Sequence, residues 1–275
     1  MTQDATLIDH YGKGGLVGRL SRALDEAGLN QDRVSWSELS ALDQFHTRGL
    51  EATIELAQLA GIPAGAHVID IGSGLGGPSR FLAAKFGCLV KGIDLSPEFV
   101  AAAGFLAGRC GLDGSVEYRC ADALALPFDD HTFDLAWSQH VAMNIADRDR
   151  LYREIFRVLR PGGRFAVYDV TAGDGGEVLF PVPWSPGPGT SFVLSPDDMR
   201  ARLTRAGFRV ISWADRSRDG IEWFDRRKAG RGAAKPSSLG LHVAMGPDFA
   251  VMSQNLERNL REGRVSLTEA VLERS

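Results

Sequence analysis

A doubly wound α/β sheet is the fold that three features of this 275-residue sequence predict. From Val68 onward, short apolar runs alternate with helical patterns, as in chains whose parallel strands are joined by crossover helices. The first run, Val68 to Ile71, enters the turn Gly72-Ser73-Gly74-Leu75-Gly76-Gly77, and Ala83 and Ala84 let the next helix lie close on a sheet. The second, Leu89 to Ile93, ends in Asp94, which follows Gly72 by 22 residues. The turn glycines remove side chains where a main chain bends tightly and approaches a ligand, and an acid at that distance can accept both hydroxyls of a ribose.

Composition narrows the partners. The hydrophobic fraction of 44% supports one ordinary domain over residues 1–275, and a net charge of −4 offers no broad basic footprint for nucleic acid. Cys88, Cys110 and Cys120 lack Cys-x-x-Cys spacing, so neither a metal site nor a disulfide framework is expected, and a reducing cytoplasm is the expected compartment. No apolar run reaches the ~20 residues that cross a bilayer. The start, MTQDATLIDH, lacks a basic region ahead of an apolar core, so a soluble protein without membrane contact is expected.

Residues 1–60 are expected to form a helical cap. The cluster Tyr11 to Gly15 suggests a mobile connection ahead of a short amphipathic helix. Ser35 and Glu38 have capping-box spacing, and Leu39, Leu42, Leu50, Ile54, Leu56 and Leu59 predict one helix that stops at Gly61. After Asp94, Ser96 caps and Pro97 opens a helix that ends at Gly111. Strands Val116 to Cys120 and Phe133 to Ser138 follow, and then Asp147 or Asp149 opens a helix with an apolar stripe of Leu151, Ile155, Val158 and Leu159.

The turn Leu159-Arg160-Pro161-Gly162-Gly163 leads into a strand from Arg164 to Val170. Residues 171–195 are too rich in Gly and Pro for regular structure and predict a lid-like loop. Ser195 opens a further helix ending at Gly207, and Phe208 to Trp213 make a sixth strand. Residues 214–263 form an insertion: a polar, partly basic connection to Gly240 with Arg226, Arg227, Lys228, Arg231 and Lys235, read as a solvated loop, then a helix from Asp248 to Arg261. Ser266 to Leu272 is the seventh strand.

Gly72, Gly74 and Gly77 also satisfy the dinucleotide fingerprint, so the turn by itself leaves an NAD-dependent dehydrogenase open. Asp70 separates the alternatives, because a carboxylate there would repel a pyrophosphate and favour an ammonium or a sulfonium. With Asp70, the glycine turn, Asp94, the Ala121-Asp122-Ala123 stretch and the Leu-Arg-Pro-Gly-Gly turn, the chain from about Ala41 to Leu272 resembles the class I methyltransferases that use S-adenosyl-L-methionine. Its Asp43-Gln44-Phe45-His46-Thr47-Arg48-Gly49 string is similar to the sarcosine, dimethylglycine and tocopherol methyltransferase-like group.

The resemblance implies a Rossmann-like, seven-stranded, mostly parallel sheet with an antiparallel edge strand. It also implies methyl transfer from S-adenosyl-L-methionine to an N-, O- or C-nucleophile of a small-molecule acceptor, releasing S-adenosyl-L-homocysteine. Cofactor binding falls to Asp70, Gly72, Ser73 and Gly74 at the first strand, Asp94 and Leu95 at the second, Asp122 and Ala123 at the third, and Gln139 at the fourth. His46, His140, Asn144 and Trp184 are the expected acceptor-binding residues. His140 is the candidate catalytic base, since an imidazole at a strand end can accept a proton; the alternative is a structural hydrogen bond. His46 has a surface or core placement as its alternative, and Asp122 a turn-forming one. A non-catalytic module that binds the cofactor is the remaining reading of the whole chain.

Overall fold

The computed structural model describes residues 15–29, 33–230 and 239–275. Tyr11 to Gly14 of the glycine cluster, and Arg231, Gly232 and Lys235 of the basic connection, lie outside the described residues. The chain begins with α1 (Leu16–Glu26), α2 (Ser40–Asp43) and α3 (Leu50–Ala60), then alternates β1 (His67–Ile71), α4 (Gly77–Phe86), β2 (Leu89–Asp94), α5 (Pro97–Cys110), β3 (Val116–Cys120) and β4 (Phe133–Gln139). It continues through α6 (Arg148–Val158), β5 (Leu159–Ala172), α7 (Pro196–Arg205), β6 (Phe208–Asp215), α8 (Ser217–Gly230), α9 (His242–Met245), α10 (Phe249–Arg261) and β7 (Val265–Arg274).

The strands form one sheet in the order β3-β2-β1-β4-β5-β7-β6. Strands β3 to β5 pair in parallel, whereas β7 runs antiparallel to both β5 and β6 and brings antiparallel pairing to that edge. Strand order reverses between β1 and β4, so their carboxyl ends open the crevice in which doubly wound sheets bind ligands. Apolar layers cover both faces: Val68, Val90, Leu135 and Ala166 belong to one, and Ile69, Ile71, Ala136 and Val167 to the other. This alternation along buried parallel strands explains why each reads as a continuous apolar run.

Local signals place the helices that approach the crevice. Ser96 caps α5 by accepting from Phe99 N–H, and Asp147 rather than Asp149 caps α6 by accepting from Arg150 N–H at 3.0 Å. Asp149 lies inside the first turn of α6 and pairs with Arg202 at 2.8 Å. The Leu-Arg-Pro-Gly-Gly stretch is absorbed into β5 as an irregularity, where Leu159 pairs with Phe133 and Arg164 with Leu135.

Two expectations are corrected. The single helix from Leu39 to Leu59 is broken, because Arg48 and Gly49 adopt left-handed φ of 70° and 51° and the intervening segment docks on the glycine turn. Asp43, at the end of α2, pairs with Arg80 of α4 at 2.6 Å with both side chains buried, and Arg80 also donates to the Leu75 carbonyl at 2.7 Å. The second correction concerns the basic connection, whose residues 217–230 form a helix. Asp225 pairs with Arg261, Arg226 with Glu51 and Lys228 with Glu257, so charges that read as solvated hold α8 against α10 and α3. Gly220 permits the approach of α8 to β7, since a Cβ there would stand 2.6 Å from Leu267 Cδ1.

Candidate functional site

The glycine turn is shaped mainly by protein neighbours. Gly72 has φ of 67°, and a Cβ on it would lie 2.5 and 2.6 Å from the Val141 methyls. A Cβ on Gly76 would meet the Tyr118 hydroxyl at 2.1 Å, and one on Gly77 would meet Asp43 O and Gln44 Nε2 within 2.6 Å. Only Gly74 has space around it: with φ of 53°, its nearest neighbour would be Phe45 Cδ2 at 3.9 Å. The expectation that every glycine makes room for a ligand therefore narrows to Gly74 and Gly72, both of which line a cavity of about 320 Å³ at the crevice.

Strand ends bring the predicted acids to this cavity. Asp94 lies beside Gly74; its Oδ2 accepts from Gly74 N–H and its Oδ1 from Ser96 N–H, both at 2.9 Å. Burial pushes its pKa up, and the Ser96, Gly74 and Leu95 N–H groups oppose that shift. Each oxygen thus keeps further acceptor capacity toward the cavity, which Leu95, Asp122 and Ala123 also line. Asp122 does form the alternative turn, accepting from Leu124 N–H at 2.8 Å through Oδ1. That bond leaves Oδ2 available, so turn and ligand roles are compatible at this residue.

A recess behind Gly72 and Gly74 holds Asp70 and Ser73 and is bordered by Gln139 and His46. Asp70 accepts from the Ser79 hydroxyl at 2.5 Å, and burial raises its pKa to about 7. Gln139 Oε1 accepts from Trp137 Nε1 at 2.9 Å and from the Thr53 hydroxyl at 3.1 Å, which fixes the amide orientation. Its Nε2 and the Ser73 Oγ are buried without a partner. A carboxylate facing orphaned amide and hydroxyl groups suits a zwitterionic α-amino acid, whose ammonium needs an acceptor and whose carboxylate needs donors.

At the end of β4, His140 has a left-handed φ of 54° while its N–H donates to Tyr168 O at 2.8 Å. Such backbone strain in a bulky residue persists only where surroundings enforce it. Its ring lies 5.1 Å from that of Tyr168 and 6.0 Å from that of His46, centroid to centroid. Burial, and secondly His46, hold the His140 pKa well below the usual imidazole value, and its Nε2 is a buried orphan. His46 is anchored through Nε2, which donates to Gly49 O at 2.9 Å, and burial lowers its pKa to about 4. Both imidazoles are therefore neutral at pH 7.

Asn144 and Trp184 also line the cavity, yet their polar groups serve the loop. Asn144 Nδ2 donates to Trp184 O at 2.6 Å and to Thr190 O at 3.3 Å, and Trp184 Nε1 donates to Ser191 Oγ at 2.9 Å. Replacing Asn144 by alanine orphans those carbonyls and is expected to lower stability by about 1–3 kcal/mol. A denaturant titration checks this, and an unchanged midpoint would separate the loop from Asn144. Phe192 is not among the lining residues; its N–H donates to Met143 O at 2.7 Å. Asp169 is also outside the cavity: it is buried beside Arg148 at 3.9 Å, and its Oδ1 accepts from Val170 N–H at 3.0 Å.

Sequence reasoning missed the roof. Trp223 and Phe224 of α8, Met245 of α9, and Phe249 and Leu256 of α10 line the cavity. The available signal was the adjacent Trp223-Phe224 pair within an otherwise charged stretch. Tyr168, which packs against the His140 ring, is fully buried and belongs to the core.

A methyltransferase-domain family model matches residues 69–167. The chain is 37% identical over 135 residues to methyltransferase GfsG of Streptomyces halstedii, covering 49% of each, so it spans about half the length of that relative. It is 34% identical over 192 residues to the 27-O-demethylrifamycin SV methyltransferase of Amycolatopsis mediterranei, covering 68% of this chain and 70% of that one. Its fold is similar to the geranyl diphosphate C-methyltransferase of Streptomyces coelicolor, with a TM-score of 0.71 at 15% identity over 100% of this chain and 99% of that one. The strand-end acids, the glycine turn and the extent of these matches agree, and the chain belongs to the class I S-adenosylmethionine-dependent methyltransferase family.

Proposed function

We propose that the protein transfers a methyl group from S-adenosyl-L-methionine to a small-molecule acceptor and leaves S-adenosyl-L-homocysteine. The observation that carries this reading is the recess at Asp70, Ser73 and Gln139, fitted to an amino acid end and sharing Gly72, Gly74 and Gln139 with the cavity at Asp94 and Asp122. Asp70 would take the ammonium, Gln139 Nε2 and Ser73 Oγ the carboxylate, Asp94 the ribose hydroxyls and Asp122, with Ala123, the adenine edge; Leu95 would pack on its face. Family membership and the methyltransferase activities of the relatives support it. A nicotinamide dinucleotide fits less well, since Asp70 adds negative charge beside the turn that would hold its pyrophosphate.

When bound, S-adenosyl-L-methionine supplies an activated methyl group on a sulfonium, so the protein's work is alignment and exclusion of water. Gly72 and Gly74 let the main chain come close, while residues 171–195 and the described residues of the 214–263 insertion act as lid and cap over the acceptor. His140 takes the acceptor's proton, and His46 packs beside it. His46, Asn144 and Trp184 shape the acceptor end. The unpaired Cys88, Cys110 and Cys120 favour a reducing cytoplasm for this work.

Calorimetry tests the reading. The wild type is expected to bind S-adenosylmethionine and S-adenosylhomocysteine at micromolar Kd, about −8 kcal/mol. Asp94→Ala is expected to weaken both at least 30-fold, roughly 2 kcal/mol, because hydrogen bonds to a carboxylate are lost. Binding of NAD with none of the sulfonium cofactor would return the chain to the dehydrogenase reading.

A further inference from the structure

Resting on that reading, we infer that the acceptor is an uncharged, largely apolar molecule that presents a hydroxyl group to His140. The roof is built from Trp223, Phe224, Met245, Phe249 and Leu256, and Met143, Ile145 and Trp184 continue the apolar lining toward His140. The described lining residues include no Lys or Arg, so an acceptor bearing phosphate or carboxylate would lose its hydration without gaining a cation. Nor do the described residues group three side chains able to hold a metal ion that could bridge a diphosphate.

The same lining disfavours a cationic acceptor. Its carboxylates are Asp94, which accepts from Gly74 N–H, Asp122, which accepts from Leu124 N–H, and Asp147, whose Oδ1 caps α6 by accepting from Arg150 N–H at 3.0 Å. An ammonium would also meet the like charge of a sulfonium. Apart from those three carboxylates the polar side chains of the lining are neutral, among them the imidazoles of His140 and His46, the Thr47 hydroxyl, which is buried without a partner, and the Ser253 hydroxyl on α10. A hydroxyl uses this arrangement fully. Its oxygen bonds to the methyl carbon as the carbon–sulfur bond breaks, the electron pair leaves with sulfur, and the hydroxyl proton passes to the imidazole of His140.

Binding to protein saturated with S-adenosylhomocysteine tests the inference, with 2-naphthol, naphthalene and 2-naphthyl phosphate as probes in calorimetry. The expected order is 2-naphthol first, naphthalene at least fivefold weaker, and 2-naphthyl phosphate at least tenfold weaker. Ser253 is only half-buried, so Ser253→Lys keeps the fold while adding a cation to the lining. It is expected to shift the ratio of Kd values by tenfold or more toward the phosphate. Phosphate binding equal to or tighter than 2-naphthol in the wild type, naphthalene binding as well as 2-naphthol, or no binding of 2-naphthol would overturn the inference. Failure to bind S-adenosylhomocysteine would instead overturn the methyltransferase reading beneath it.

Discussion

Gly72→Val is expected to abolish cofactor binding and to destabilise the fold by about 3 kcal/mol or more. Two independent effects add at this position. A β-branched residue is strained at φ of 67°, and its Cβ would have to displace the Val141 methyls from 2.5 and 2.6 Å. Val141 directly follows His140, so the displacement reaches the end of β4 as well as the glycine turn. Thermal unfolding and calorimetry with S-adenosylhomocysteine measure the two consequences separately. Gly74→Ala is the informative contrast, because its Cβ would meet nothing closer than 3.9 Å. That variant is expected to lose only about 1 kcal/mol of stability, the strain of its positive φ, while still losing cofactor affinity. Wild-type affinity in Gly72→Val would detach the turn from the cofactor.

This contrast also shows why some of the site was readable in sequence and some was not. Asp94 ends β2, Asp70 stands one residue before the end of β1 and Asp122 two residues past the end of β3, and in a parallel sheet the carboxyl ends converge by topology, so linear spacing sufficed to gather them. The reasons for the glycines were hidden. Gly76 answers to Tyr118 on β3 and Gly77 to Asp43 before β1, and neither neighbour is visible from a local motif. The break between α2 and α3 has the same origin. Ser35 and Glu38 do meet, with Ser35 N–H donating to the Glu38 carboxylate at 2.8 Å, but the buried Asp43–Arg80 pair sets where the helix ends.

The roof failed for an electrostatic reason. Stretches dense in Arg, Lys, Asp and Glu usually face water. In α8 those charges find partners on α3 and α10, which frees Trp223 and Phe224 to turn inward. Partners so distant in sequence leave no periodic signature, and the helix itself is short of apolar residues. The roof is therefore the part of the cavity that needed tertiary structure, whereas the acids at the strand ends followed from the order of strands.

His140→Asn is expected to reduce kcat by about 10²- to 10³-fold for a hydroxyl acceptor, the usual worth of a positioned base. Asparagine tolerates the left-handed backbone that His140 adopts at φ of 54°, and it keeps the N–H that donates to Tyr168 O. Folding and S-adenosylhomocysteine affinity should therefore stay within twofold of wild type, which isolates the proton acceptor. The pH profile adds a sign. A base works unprotonated, and burial, followed by the neighbouring His46, holds the pKa of His140 well below 6.5. At saturating S-adenosylmethionine, whose ammonium would hold the Asp70 carboxyl (raised by burial to about 7) ionised, acidification from pH 8 leaves the base intact until below pH 6.5, and only there should kcat/KM for the acceptor fall as the imidazole gains its proton. The His140→Asn profile should lack that limb. Undiminished turnover in the variant, or a wild-type limb above pH 6.5, would leave His140 with a structural role and put methyl transfer down to alignment alone.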